Sequence, residues 1–144
     1  MKTISVRQPW AWAIVYGGKD VENRSRPAIL QMQAAIGHRV YVHASQKRPS
    51  RAEMVERKQF MASLGIVYPC IDDLDYGGVI GSVRVKDAVY VNTEGRTMLY
   101  DSNTVWRRKS PRFNGDAGFV LEDPRPVRFF AAKGRLGLFD VKRP

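Results

Sequence analysis

The chain has 144 residues and carries 24 Lys and Arg against 14 Asp and Glu, a formal charge of +10. With 44% hydrophobic and 26% charged residues it sits in the ordinary globular range, which excludes wholesale disorder, collagen-like repeats and a disulfide scaffold. One domain of this length buries about 68% of the surface of its unfolded chain, and so large a basic excess points to a polyanionic partner, nucleic acid or an acidic membrane face.

Cys70 stands alone, so it offers no internal disulfide and suits a reducing compartment. No run approaches the roughly 18 apolar residues of a membrane span. Arg7 interrupts the N-terminus before any signal-peptide core. The expectation is a cytoplasmic monomer with no membrane partner.

In chain order, Thr3 to Val6 reads as a short strand. Pro9 then suits the first position of a helix, where its missing N–H costs nothing. Trp10, Ala13, Ile14 and Val15 give that helix an apolar face, and Gly17-Gly18 ends it. Residues 39–45 alternate, with Val40, Val42 and Ala44 on one face and Tyr41, His43 and Ser45 on the other. Ser50 and Glu53 form a capping-box pair opening a second helix, in which Met54, Val55, Met61 and Ala62 recur at sevenfold spacing up to Gly65. Gly77-Gly78 introduces the longest strand pattern, Val79 to Val91. Shorter strands follow at Ala117 to Glu122 and Gly137 to Val141. About five to six strands with two helices predict an α+β chain, mainly β, built as a small β-barrel with helices packed outside.

Three polar groups are candidates for chemistry. Lys19-Asp20-Val21-Glu22-Asn23-Arg24 would place Glu22 and Arg24 on one face of an extended segment, with Val21 inward and Lys19 able to reach Glu22 across a turn. A Lys beside a carboxylate in a cleft can act as base, acid or phosphate clamp; the alternative is a solvated loop of paired charges. Tyr41, His43 and Ser45, continued by Gln46, Lys47 and Arg48, either read RNA by stacking and phosphate pairing or cover a second layer of core. Arg107, Arg108, Lys109 and Arg112, beside Trp106 and Phe113, suit a single strand, because cations track phosphates and rings stack on bases. No acid lies between Asp101 and Asp116 to balance that run.

Metal signals are weak. Two His and one Cys cannot build a usual zinc site. Asp72, Asp73 and Asp75 read as turn and cap residues, with Mg²⁺ the one metal they would suit.

Ser5-Val-Arg-Gln-Pro-Trp10, followed by Gly18-Lys19-x-x-Glu22-Asn23-Arg24, resembles the opening signature of the activating signal cointegrator homology (ASCH) domain. Arg39-Val-Tyr-Val-His-Ala-Ser45, Gly77-Gly-Val-Ile-Gly81, Gly118-Phe-Val-Leu-Glu122 and Lys133-Gly-Arg-Leu-Gly-Leu-Phe139 fit the same family in the same order. The resemblance covers nearly the whole chain, so residues 1–144 are expected to form a single ASCH domain. It implies a barrel like that of pseudouridine synthase and archaeosine transglycosylase (PUA) domains, with a cleft between barrel and helices. Proteins of this kind mostly bind RNA or modified nucleobases, and some relatives are amidohydrolases acting on N(4)-acetylcytidine or ribonucleases acting on single strands. In the amidohydrolases a Lys in the position of Lys19 activates a Thr three residues on; here that position is Glu22, which has no hydroxyl to offer.

Single-stranded RNA, or another nucleic acid, is therefore the expected partner, with ribonuclease activity a consequence to test. Arg7, Gln8, Trp10, Arg24, Ser45, Arg48, Trp106, Arg107, Arg108, Lys109 and Arg112 form the expected binding set. Cleavage through the substrate's own 2′-OH would need a base, an acid and a cationic clamp. His43 or Glu22 would serve as base, Tyr41 or Lys19 as acid, and Lys47 with Arg24 as clamp. Mg²⁺ held by the RNA and one carboxylate would replace part of that set.

Overall fold

The computed structural model describes residues 1–67, 69–107 and 110–144. Seven strands and three α-helices alternate along it: β1 (Lys2–Val6), α1 (Trp10–Tyr16), β2 (Val21–Arg24), α2 (Arg26–Gln31), β3 (Arg39–Ala44), α3 (Arg51–Ala62), β4 (Gly78–Val91), β5 (Thr97–Leu99), β6 (Ala117–Ala131) and β7 (Leu138–Asp140). The strands form one sheet in the order β2-β6-β4-β3-β1-β7, with β5 added on β4. Pairing is antiparallel except between β1 and β3, which run parallel with Ile4 opposite Val42. The strip curls on itself, because Arg24 at the end of β2 donates to the carbonyl of Ser5 in β1 at 2.6 Å, although three strands lie between them in sheet order. The result is the barrel-like α+β architecture expected, with seven strands rather than five to six.

Burial explains the curl. Ile4, Val6, Val40, Val42, Val83, Val85 and Phe119 fill the inside of the sheet together with Ile14 and Val15 of α1 and Ile29 of α2. Gly81 allows α1 to sit this close: a Cβ there would lie 2.7 Å from Val15 and 2.8 Å from the Arg125 carbonyl. A second cluster, Ala13, Met61 and Ile66 with Trp10, Trp12 and Phe60 against it, ties α3 to α1. No helix among the described residues is long and apolar enough to cross a membrane.

Several boundaries move for physical reasons. Pro9 is the N-cap of α1 rather than its first residue, while Gly17 ends the helix as expected. α2 is an additional helix, capped by Ser25, whose side chain accepts from Ala28 N–H, with Pro27 in its first turn. Both halves of the Ser50–Glu53 capping box form, but Met54 and Met61 face the core while Val55 and Ala62 face solvent. β6 runs nine residues past Glu122, through Pro124 and Pro126. It tolerates them because its ladder with β4 shifts register there and Asp123 takes a positive φ of 50°.

Candidate functional site

The segment after α1 builds the site. Gly18, at φ +73°, turns the chain so that Lys19 points back under Trp10 and β2 begins two residues later. Val21 goes into the core, fully buried. Glu22 and Lys19 are also buried, at 7% and 3% exposure. The Lys19 ammonium donates to the Val21 carbonyl and, at 3.2 Å, to Glu22 Oε1. Arg24 Nε lies 3.3 Å from the other carboxylate oxygen, Oε2. One carboxylate thus holds two cations, and the solvated-loop reading of this motif is overturned by its burial.

Trp10 roofs this trio. Its ring sits 5.4 Å above the Lys19 ammonium and packs edge-on against Phe60 of α3 at 5.9 Å. Arg57, also from α3, approaches the same ring at 6.0 Å while donating to Glu53 and to the Gln8 carbonyl, both at 2.8 Å. Around the trio lies a cleft of about 300 Å³, whose wall includes Ser5, Arg7, Trp10, Lys19, Glu22, Asn23, Arg24 and Arg57. Asn23 closes its far edge by donating to the Arg112 carbonyl and accepting from the Asn114 N–H. A ring face, a buried carboxylate and several N–H donors around one concavity suit a planar polar group: the ring stacks, and the ionic groups pair with its edge.

The fold has a counterpart among solved structures. A serine-to-alanine mutant of ZmASCH from Zymomonas mobilis matches 99% of this chain and 88% of its own, with a TM-score of 0.50 and 19% sequence identity. The fold is that of an ASCH domain. No family model and no curated protein matches the sequence. In this fold the opening signature supplies the cleft: Arg7 comes from the turn after β1, Trp10 from the start of α1, Lys19 from the turn into β2, and Glu22 and Arg24 from β2 itself.

Other expected residues fall elsewhere. Gln8 lines no surface; its amide accepts from Trp12 N–H and donates to the Asp75 carbonyl, so it is a buried tie rather than an exposed contact. His43 does not face outward. It is 1% exposed, because the segment after β6 and Phe139 of β7 cover that side of the sheet. Tyr41 packs edge-on against Phe130 at 5.7 Å and lines neither of the clefts that adjoin β1. Lys47 is exposed beyond β3. Arg48 stacks on Tyr76 at 4.4 Å and pairs with Asp72 at 3.4 Å. Ser45 borders a second cleft beside the first. Trp106, half-buried against Phe113, and Arg107 line a separate groove with β5 that shares no residue with the cleft. Arg112 reaches the site only through its backbone, while Arg108 and Lys109 lie outside the described residues. Asp72, Asp73 and Asp75 do not converge, and no cluster of three His, Cys or acidic side chains suited to a metal occurs among the described residues.

Arg57, Phe60 and Asn114 are site residues that the sequence reading missed. The one readable signal was Arg57 at i+4 from Glu53, an ordinary helix pair.

Proposed function

We propose that the chain is an ASCH-domain protein that binds single-stranded nucleic acid, RNA foremost, with one base seated in the cleft beneath Trp10. The observation that carries this reading is the Lys19–Glu22–Arg24 trio, buried in the wall of a concavity of about 300 Å³ in a chain of charge +10. That volume is at the small end for ligand pockets; it suits one nucleotide and excludes a duplex. Edge readout by a carboxylate and an ammonium requires an unpaired base, and stacking on Trp10 requires an unstacked one. The surrounding cations supply the sequence-independent part of the affinity.

Ribonuclease activity is the second part of the proposal, and it rests on Glu22. His43 has both ring nitrogens engaged, by Ser5 Oγ at 3.0 Å and the Ala132 carbonyl at 2.7 Å, so it has none left for a substrate proton. In the reaction Glu22 would take the 2′-OH proton, the 2′-oxygen would attack phosphorus, and the 5′-oxygen would leave with a proton from Lys19 or water. The products are a 2′,3′-cyclic phosphate and a 5′-hydroxyl end. The amidohydrolase route lacks its nucleophile, since position 22 holds a carboxylate already paired to two cations.

A fluorescent single-stranded RNA, titrated into wild type and Trp10→Ala and then incubated with and without EDTA, tests both parts. Loss of one stacked base weakens binding by about 1–3 kcal/mol. Equal binding by the two proteins refutes the seated base, and an RNA left intact by wild type refutes the nuclease.

A further inference from the structure

A second cleft, of about 510 Å³, opens beside the first and shares Ser5, Arg7 and Arg24 with it. Its outer wall is the link from β6 to β7, residues 132–137, and the way that link is fastened is specific. A carbonyl only accepts, so the contact between His43 Nε2 and the Ala132 oxygen places the ring proton on Nε2. In the neutral ring Nδ1 then accepts from the Ser5 hydroxyl. Gly134 rests directly on this imidazole: a Cβ there would lie 2.8 Å from His43 Cε1 and 3.3 Å from Nδ1. The buried histidine therefore acts as a peg for the link, and the peg fixes Lys133 and Arg135 at the mouth of the cleft.

The charge around this cleft is one-sided. Arg7, Arg24, Lys133 and Arg135 line it, and no carboxylate does among the described residues. Arg7 and Arg24 have partners in Glu53 and Glu22. Lys133 and Arg135 have no ion pair among the described residues, although ten such pairs occur elsewhere. Concentrated cations with low-dielectric walls attract an anion, and a tetrahedral one suits converging Arg and Lys donors.

We propose that this second cleft is a phosphate subsite, formed by Lys133 and Arg135 with Arg7 and Arg24, and placed by the His43 peg. It rests on the reading that the first cleft takes a nucleotide: the strand would cross the shared Ser5, Arg7 and Arg24 and lay its neighbouring phosphate here. His43 is on this view a positioning residue.

Calorimetric titration with inorganic pyrophosphate tests the subsite without needing a base. Wild type should bind, and Lys133→Ala/Arg135→Ala should bind at least tenfold more weakly. Gly134→Ala leaves the charge at +10 yet lifts the link off His43, so it too should weaken binding severalfold. Lys86→Ala/Arg96→Ala removes the same two charges elsewhere and should change binding less than twofold. Failure of wild type to bind, or equal weakening by the two double variants, overturns the subsite. Trp10→Ala separates the two proposals. If it binds RNA normally while pyrophosphate still depends on Lys133 and Arg135, the seated base falls and the subsite stands. If it weakens RNA binding while pyrophosphate ignores both residues, the reverse holds.

Discussion

Replacing Glu22 by glutamine removes one charge and almost no volume, and it strands a lysine. Lys19 and Glu22 have side chains only 2% and 9% exposed, and their 3.2 Å contact is the ammonium's one ionic partner. Breaking a buried pair by deleting one member costs about 3–5 kcal/mol, because the remaining charge stays desolvated. Here the Val21 carbonyl still accepts from Lys19, and Arg24, at 22% exposure, can turn to water. The lower end, about 3 kcal/mol, is therefore expected. For a domain of this size that lowers Tm by roughly 10 °C. Lys19→Met should cost less, about 2 kcal/mol, since Glu22 keeps Arg24. The double variant should recover at least about 1.5 kcal/mol of the summed loss, as residues in direct contact do. Urea denaturation of the four proteins measures the whole cycle. Two small, additive losses of under about 1 kcal/mol each would mean that these are screened surface charges, and the buried trio would have to be abandoned.

If the strand leaves one phosphate in each of the paired clefts, where Arg7, Arg24, Lys133 and Arg135 gather, about two phosphates are neutralised, and log affinity should fall against log salt with a slope near −1.4; a flat salt series excludes the cationic path. The Ser50 backbone and hydroxyl bonds, followed by Arg57 and Arg7, hold the Glu53 carboxyl below its ordinary value. Its stabilisation is thus complete above the unfolded-state value and is lost as pH falls through the lowered folded one. Glu53→Gln should flatten the acid limb of a Tm-against-pH curve, and an unchanged limb would refute the assignment. Tyr41→Phe and Lys47→Ala should each leave RNA affinity within about twofold of wild type, because neither residue lines the paired clefts; a tenfold loss in either would move the path onto the outer face of β3.

What could be read from the sequence was whatever depends on neighbours in the chain. The Gly17 stop, the Lys19–Glu22 contact and the Ser50–Glu53 box all close over four residues or fewer. β4 announced itself through its length and its β-branched run. The short elements did not: α2 has six residues and β5 three, too few for a period to register. Prolines hid the second half of β6, since a bulge that accommodates Pro leaves no mark in the pattern. For His43 the alternation left two readings open, RNA contact or cover for a second layer of core, and nothing local could choose between them: the side it faces is covered by a carbonyl 89 residues away, and a register shift follows Val42. Long-range cover of this kind also joined the two clefts, which no local spacing could reveal.

The β1 strand has one neighbour from nearby in the chain, β3, and another from far downstream, β7. It pairs with β3 on one edge and with β7 on the other, and the N-terminal amine donates to the Val141 carbonyl at 2.8 Å. Ser5 to Trp10 are made well before β7, yet they reach their final surroundings only once it has been added. Until residues 132–139 have emerged from the ribosome, the His43 peg has no link to hold, Ser5 lacks its finished wall, and one edge of β1 is open. A nascent chain is thus barred from forming the second cleft until residues 133–137 have been made. The unpaired edge of β1 is over the same interval the place where a stalled or truncated chain would join another strand.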